Sequence, residues 1–330
     1  YRPTILSGSI AQDTSILDMW GPAVQLTPFA STINIVPVFK LVDGVTELEA
    51  HNAIQMAEFK VAHRLAEATR DLTPENIEVF ELCKVDPTLP KVIYIAGIMT
   101  NWHAPHSYAA LYGLIIRESL PTFIHPSEVF DGAVTKDTRK GISAFTYTWG
   151  WLNHPVILEL FREHGKRLNF LGIILQRTRF EAELGKQVTA ACTSQMARLL
   201  GADGAIITRT VGSGANFVDV MLTVQACERK GIETIFLTPE WGGKDGTELP
   251  FMFYAPEAVS MVSTGSTDLE FKFSRPEKVI GVGESGLVQL DAADEPFSPW
   301  DEFCAVYSED SGLTGISDWF GGWYSTRIGY

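Results

Sequence analysis

The sequence predicts an α/β protein, with mostly parallel sheets flanked by helices, two packed lobes and an irregular C-terminal tail. Short apolar runs alternate with longer amphipathic stretches, most regularly between about residues 155 and 240. That alternation is typical of βαβ units, in which helices cover a parallel sheet. With 330 residues, 45% of them hydrophobic, the chain is long enough to bury a large core.

The first half of the chain contains two strand candidates and two helix candidates. The run INIVPVF, within residues 28–41, predicts a buried strand interrupted at its proline. Apolar residues at helical spacing predict a helix over 46–70. KVIYIAGIM, at 91–99, predicts a central strand, and the segment 108–118 predicts a further helix.

The second half alternates helices and strands. The predicted elements are a helix at 155–166, a strand at 169–176, a helix at 187–200, a strand at 204–208, a helix at 217–230 and a strand at 233–238. Right-handed crossovers bring the ends of parallel strands and the loops that follow them to one edge of a sheet. We therefore expect a ligand-binding site among those loops.

These elements suggest three regions. We expect an N-terminal α/β lobe at 1–145, a βαβ lobe at 146–290 and a tail at 291–330. The tail is rich in Asp, Gly, Ser and Trp and shows little periodicity. We predict that it wraps the surface or reaches a neighbouring subunit.

Composition argues against several classes of protein. A formal net charge of -14 is unfavourable for binding nucleic acid. No run of 18 or more apolar residues predicts a membrane span, and the first residues lack the pattern of a secretory signal. We expect a cytoplasmic protein, with a tag, leader or first segment missing because the sequence does not start with Met. Four widely spaced cysteines argue against a structural zinc site or a disulfide scaffold.

Histidines and a carboxylate cluster after the predicted central strand. The candidate metal ligands are His103, His106, His125 and Glu128. If the loops converge, this set suits Zn²⁺ or a similar divalent metal with one position open for water or substrate. The alternative is that the histidines serve as separate hydrogen-bonding groups.

Two further groups of residues suit catalysis and binding. Glu128 and Asp131 are a candidate acid/base pair, or Asp131 simply begins an Asp-Gly turn. A Gly-rich loop then follows the predicted strand at 204–208 and precedes a helix, which suits binding of an anion or carboxylate by backbone N–H groups. Its candidate residues are Gly212, Ser213, Gly214 and Asn216. The loop falls short of a dinucleotide-binding motif.

The stretch PTFIHPSEVFDGAVTKDTRKGISA, at 121–144, carries the most specific family signal. It resembles the processing segment of the component B precursor subunit of the glycine, sarcosine and betaine reductases, to which a D-proline reductase subunit is related. The resemblance continues in ILDMWGP at 16–22, LPKV at 89–92, His106, HGKRLNFLG at 164–172, LGADGAII at 200–207 and TPEWGGKDG within 231–246. It covers residues 16 to about 246.

In the family that this segment resembles, the precursor is cut in front of the cysteine of a Cys-x-Ser-Ala sequence. That cysteine becomes a pyruvoyl group, thought to capture the substrate amine. Gly141, Ile142, Ser143 and Ala144 occupy the matching positions here. The resemblance therefore implies a subunit without a pyruvoyl. Ser143 is a second candidate for processing, although a turn serine is the simpler interpretation.

The resemblance also implies a function. We expect a reductase-like subunit of a hetero-oligomer that binds a small amine- or carboxylate-containing substrate and helps cleave a C–N or C–S bond. The partner would resemble the thiol- or selenol-bearing subunit of component B. His106, Glu128 and Asp131 are the catalytic candidates, and Asp219 joins the substrate-binding loop by resemblance. The alternatives are a metal-dependent lyase or hydrolase and a non-catalytic scaffold or regulatory subunit.

Overall fold

The α/β prediction is confirmed in a computed structural model of the chain. The structure describes residues 21, 24, 33–37, 39–45, 47–100, 107–112, 114–116, 119–138, 148–179, 181–210, 214–240, 253–266, 269–280, 286–287 and 298–307. None of the helices in these ranges is long and apolar enough to cross a membrane.

Helices and strands alternate along the described part of the chain. The helices are α1 (Glu47–Ala68), α2 (Pro126–Phe130), α3 (Thr148–Leu152), α4 (Pro155–Glu163), α5 (Glu183–Leu199) and α6 (Gly214–Glu228). The strands are β1 (Lys91–Met99), β2 (Ser107–Leu111), β3 (Leu114–Ile115), β4 (Thr122–Ile124), β5 (Val134–Thr138), β6 (Asn169–Thr178), β7 (Gly204–Arg209), β8 (Glu233–Glu240), β9 (Met261–Ser266), β10 (Leu269–Phe273) and β11 (Phe303–Tyr307).

A six-stranded sheet with the order β4-β6-β1-β7-β8-β9 forms the centre of the fold. Five of its strands are parallel, and only β4 runs antiparallel, at the edge beside β6. The central strand β1 pairs with β6 along its whole length, with one register shift after Val92. The predicted central strand at 91–99 and the parallel arrangement are therefore confirmed.

The two faces of the sheet carry separate apolar layers. Tyr94, Ala96 and Ile98 of β1 pack into the layer formed with α2, α3 and α4. Ile93 and Ile95 pack into the opposite layer, with α5 and α6. Successive side chains of a strand point to opposite faces, so a continuous apolar run such as β1 indicates burial on both sides.

This layering determines where a ligand is expected, at the carboxyl end of β1. The chain that follows β1 contributes its helices to one face, whereas the helices after β6 and β7 cover the other face. Because β6 and β7 are the two neighbours of β1, the connections diverge at the end of β1. In open α/β sheets, ligands bind in the crevice at such a switch point.

Smaller sheets complete the described structure. β2, β3 and β5 form an antiparallel sheet, and β10 pairs antiparallel with β11. The latter strand lies inside the stretch predicted to be irregular. Strands from both sides of residue 145 share the six-stranded sheet, and the division into lobes stays a prediction.

Two predicted elements are wrong. Within the segment predicted as a helix at 108–118, the described residues form the antiparallel strands β2 and β3 instead, and Tyr112, between them, has a φ of 52°. A dense apolar run does not by itself distinguish a helix from a buried hairpin. The described residues of the predicted strand at 28–41 pair with no other strand, and Ile33 is 92% exposed.

Candidate functional site

The carboxyl ends of β1, β6 and β7 are joined by hydrogen bonds that continue past the strands. The Thr100 N–H donates to the Thr178 carbonyl over 3.0 Å, and the Thr210 N–H donates to the Gly97 carbonyl over 3.0 Å. Consequently, the loops after these three strands leave from one fixed platform, at the end of the sheet where a ligand is expected.

Close packing of α6 on the central strand positions its amino end over this platform. A Cβ added to Gly97 would lie 3.0 Å from Val220 Cγ2 of α6 and 3.0 Å from the Thr208 carbonyl oxygen. Both distances are shorter than ordinary van der Waals contact, so any larger residue at position 97 would require α6 or β7 to shift by a few tenths of an ångström.

A buried arginine ends β7, beside the first turn of α6. The Arg209 Nε donates to Thr238 Oγ1 over 2.9 Å, and Nη1 donates to Asn216 Oδ1 over 3.2 Å. The guanidinium carbon also lies 5.1 Å from the centre of the Phe217 ring. Arg209 is 1% exposed. A guanidinium next to a helix amino terminus produces a positive potential that favours an anion.

An ion pair between α5 and α6 lies at the same end of the sheet. The Lys186 Nζ is 2.7 Å from Asp219 Oδ2, and both side chains are buried. The same Nζ donates to the Arg179 carbonyl over 2.6 Å, while the Arg179 N–H donates to Asp219 Oδ2 over 3.1 Å. Burial raises the pKa of Asp219 to about 6, against the opposing effect of Lys186. The pair therefore fixes the main chain just after β6.

A second buried polar group lies on the opposite face of the sheet. The Tyr94 hydroxyl lies 2.8 Å from His154 Nε2 and 2.5 Å from Thr208 Oγ1. Burial lowers the pKa of His154 to about 3 and raises the pKa of Tyr94. Both groups are therefore neutral at pH 7, and they join the residue before α4 to the two central strands.

Three of the five predicted substrate-binding residues lie within the described ranges. Gly214, Asn216 and Asp219 lie in the first six residues of α6, at the carboxyl end of the sheet. Gly212 and Ser213 lie outside the described residues. Substrate binding by this set stays a prediction.

The predicted catalytic and metal-binding residues on α2 make local contacts. His125 Nδ1 accepts from the Ser127 N–H over 3.2 Å, and Glu128 Oε1 accepts from the His125 N–H over 2.8 Å. These two bonds form a capping box at the start of the helix. Asp131, at its C-cap, donates its N–H to the Ser127 carbonyl.

The loop after β4, which contains His125, does not leave from the edge that the loops after the parallel strands share. Because β4 is antiparallel to β6, with Ile124 opposite Ile173, the chain leaves β4 in the direction of the amino end of β6. The ring contacts agree, since Phe130 of α2 packs on Phe161 at 5.8 Å and Phe161 packs on Phe170 at 5.6 Å. Phe170 is the second residue of β6.

Within the described ranges, no group of three or more His, Cys, Asp or Glu residues is arranged to hold a metal ion. Of the four predicted ligands, His103 and His106 lie outside those ranges. His125 and Glu128 are described, and each already takes part in the capping box. The metal site stays a prediction.

The sequence model of the glycine/sarcosine/betaine reductase component B subunits matches residues 5–294 of this chain. The chain belongs to this family. The match includes the segment at 121–144, so the family suggested by that segment is confirmed.

Curated component B subunits are similar over most of this chain. The component B subunits alpha and beta of the glycine reductase complex of Acetoanaerobium sticklandii are 32% identical over 283 residues, which is 84% of this chain and 65% of the relative. In Peptoclostridium acidaminophilum, component B subunit alpha of the sarcosine reductase complex is 30% identical, covering 81% of this chain and 63% of the relative. Its betaine reductase counterpart is also 30% identical, with 76% and 58% covered.

The chain thus spans less than two thirds of the length of each of these component B relatives. No solved structure matches it significantly.

The sequence did not reveal the basic residues at the carboxyl end of the sheet. Arg177, Arg179, Lys186 and Arg209 all lie at the carboxyl end of the sheet or next to it. A signal for Lys186 was present, because it shares a helical face with the small residues Thr189, Ala190, Thr193 and Ala197, all of them buried. A lysine on such a face indicates a buried partner.

Proposed function

We propose that this chain is an unprocessed, non-pyruvoyl subunit of a reductase complex resembling the glycine, betaine and sarcosine reductases. It would bind a small amine- or carboxylate-containing substrate and help cleave a C–N or C–S bond. The observation that carries the proposal is the family match over 5–294 in a chain with no cysteine between Cys83 and Cys192. A cysteine-derived pyruvoyl cannot form at residues 141–144.

The charges at the carboxyl end of the sheet support a substrate with a carboxylate. Arg209 is held rigidly by Thr238 and Asn216 beside the amino end of α6. Its positive charge and the N–H groups of the helix amino terminus favour an anionic group at this end of the sheet. In the proposed function this end of the sheet binds the substrate, and His106 stays a candidate for proton transfer. The direction of β4 argues against Glu128 and Asp131 in that role, because it carries α2 toward the amino end of β6.

The intact mass of the purified protein tests the absence of processing. We expect one species with the mass of the uncut chain, unreactive toward a hydrazine-type carbonyl reagent, because glycine at position 141 offers no side chain for a pyruvoyl. Ser143→Ala is the matched control and should give the same pattern. Two fragments from the wild type, and one intact chain from Ser143→Ala, would instead establish serine-derived processing.

We propose further that the chain works with a second protein subunit that carries a reactive thiol or selenol. The relatives named above are parts of multi-component complexes, which supports this proposal. Purification of the tagged chain from its native cells, followed by thiol labelling of whatever is retained, is the test. We expect a stoichiometric, thiol- or selenol-bearing second subunit. A chain that purifies alone and acts alone would favour the lyase or hydrolase alternative.

A further inference from the structure

Two arginines and a glutamate meet where the chain leaves β6. Glu181 Oε2 lies 3.5 Å from Arg177 Nη2 and 3.5 Å from Arg179 Nε. The three side chains are largely buried, with 12%, 20% and 16% of the surface of Arg177, Arg179 and Glu181 exposed. Both contacts are long for charge-assisted hydrogen bonds, which are usually 2.7–2.9 Å. The glutamate therefore contacts both guanidinium groups at distances longer than a strong ion pair would have.

The same carboxylate lies against the amino end of α5. Its Cδ and Oε2 atoms are 2.5 Å from the position that a Cβ on Gly185 would take. The residue before the helix, Ala182, provides no side-chain cap. The Gly185 N–H donates to the Ala182 carbonyl over 3.0 Å. The other N–H groups in the first turn of a helix lack intrahelical partners, so this is a favourable place for an anion.

One oxygen of the glutamate is poorly satisfied. Glu181 Oε1 is buried and has no hydrogen-bond partner within the described part of the chain. A buried carboxylate oxygen without a donor is unfavourable. The position thus favours a carboxylate, but Glu181 reaches it from a geometry that leaves half of its bonding capacity unused.

The cations are more firmly held than the carboxylate. Arg177 belongs to β6, and both main-chain polar groups of Arg179 are bonded to the buried pair of Lys186 and Asp219. Glu181, in contrast, lies in the short connection between β6 and α5, outside any helix or strand. Of the groups that meet here, Glu181 is therefore the one whose departure disturbs the least structure.

We propose that Glu181 is a built-in occupant of a carboxylate-binding site formed by Arg177, Arg179 and the amino end of α5, and that a substrate carboxylate displaces it. The inference rests on the proposed function for the carboxylate-bearing substrate, and it adds the residues that bind this group. No covalent bond is made or broken, since one carboxylate replaces another at the same two guanidinium groups. Glu181 then acts as an internal competitor that sets the affinity.

Substitutions of the competitor and of the site should have opposite effects. Isothermal titration calorimetry of the full chain with glycine, betaine and acetate measures the binding. We expect Glu181→Gln to bind all three about tenfold more tightly, and Arg179→Gln to bind them about tenfold more weakly. Arg177→Gln provides a second loss variant, in case Arg179→Gln does not fold. Glu159→Gln, an exposed glutamate on α4 that pairs with Arg162, is the matched control and should bind like the wild type.

The outcomes separate this inference from the proposed function. If the wild type binds glycine or betaine and Glu181→Gln binds them equally or more weakly, the competitor role is wrong and the proposed function stands. If Glu181→Gln tightens acetate binding while no variant binds glycine or betaine, the carboxylate site stands and the amine-bearing substrate class is wrong. If no probe binds to any variant, both are wrong.

Discussion

Replacing Lys186 with Met is expected to lower the free energy of unfolding by about 3–5 kcal/mol at pH 8, the usual cost of removing one partner of a buried ion pair. Lys186 and Asp219 are 8% and 1% exposed in their side chains, so water cannot substitute for the lost ammonium. The Arg179 carbonyl loses its donor as well. Urea denaturation of both proteins at pH 8 measures the difference.

The cost should depend on pH in a definite direction. Burial already raises the pKa of Asp219 to about 6, and Lys186 opposes that shift. Without Lys186 the folded-state pKa rises further above the value in the unfolded chain. A carboxyl group with a raised folded-state pKa binds an extra proton when the protein folds, so its contribution to stability is lost as pH rises through that pKa. The Lys186→Met variant should therefore lose more stability at pH 8 than at pH 5.

A double variant distinguishes lost pairing from lost packing. Lys186→Met combined with Asp219→Asn leaves no buried charge, while the amide oxygen can still accept the Arg179 N–H. We expect it to recover much of the stability lost in the single variant. If the double variant is less stable than Lys186→Met, or if the single variant loses the same stability at pH 5 and pH 8, the buried carboxylate is not the source of the cost.

The parallel core could be predicted from the sequence because its elements are locally encoded. The run at 91–99 is apolar on both faces, as a central parallel strand requires, and the structure has the strand at those residues. The helices and strands between 155 and 240 follow for the same reason, with ends that shift by a few residues. Hydrophobic period and length suffice where each element is long and is bounded by turn residues.

The elements that sequence reasoning missed depend on partners distant in the chain. β2 is only five residues long and pairs with β5, so its strand character comes from Val134–Thr138 and not from its own pattern. The direction of β4 is likewise decided by its pairing with β6, some fifty residues later. That direction separates α2 from the carboxyl end of the sheet, which no motif at 121–144 indicates.

The candidate site shows the same division between local and distant information. The Gly-rich loop before α6 stood out because its composition is unusual within a few residues. The hydrogen bonds of Lys186 and Asp219 to the main chain of Arg179 did not stand out. Asp219 lies 40 residues from Arg179 and 33 residues from Lys186 in the sequence. Charged residues that pair across the fold look, in the sequence, like any other charged residues on a helix.

Acid should destabilise the protein through His154. Its imidazole is completely buried against Tyr94, and burial lowers its pKa to about 3 in the folded chain. In the unfolded chain its pKa is near 6.5, so below that value the unfolded state binds a proton that the folded state excludes. The free energy of unfolding should therefore fall as pH decreases, with a slope from this group that approaches about 1.4 kcal/mol per pH unit.

His154→Gln isolates this effect from the other titrating groups. A glutamine can still hydrogen-bond the Tyr94 hydroxyl but cannot be protonated in this range. Asp219 contributes with the opposite sign between about pH 4 and 6, because its folded-state pKa is raised, but this contribution is the same in both proteins and cancels in their difference. We expect the wild type to lose stability relative to His154→Gln by about 2 kcal/mol between pH 6.5 and pH 4.5, measured by urea denaturation. Curves that stay parallel over this interval would mean that His154 is protonated in the folded protein, with water or an acceptor at its ring that compensates for burial.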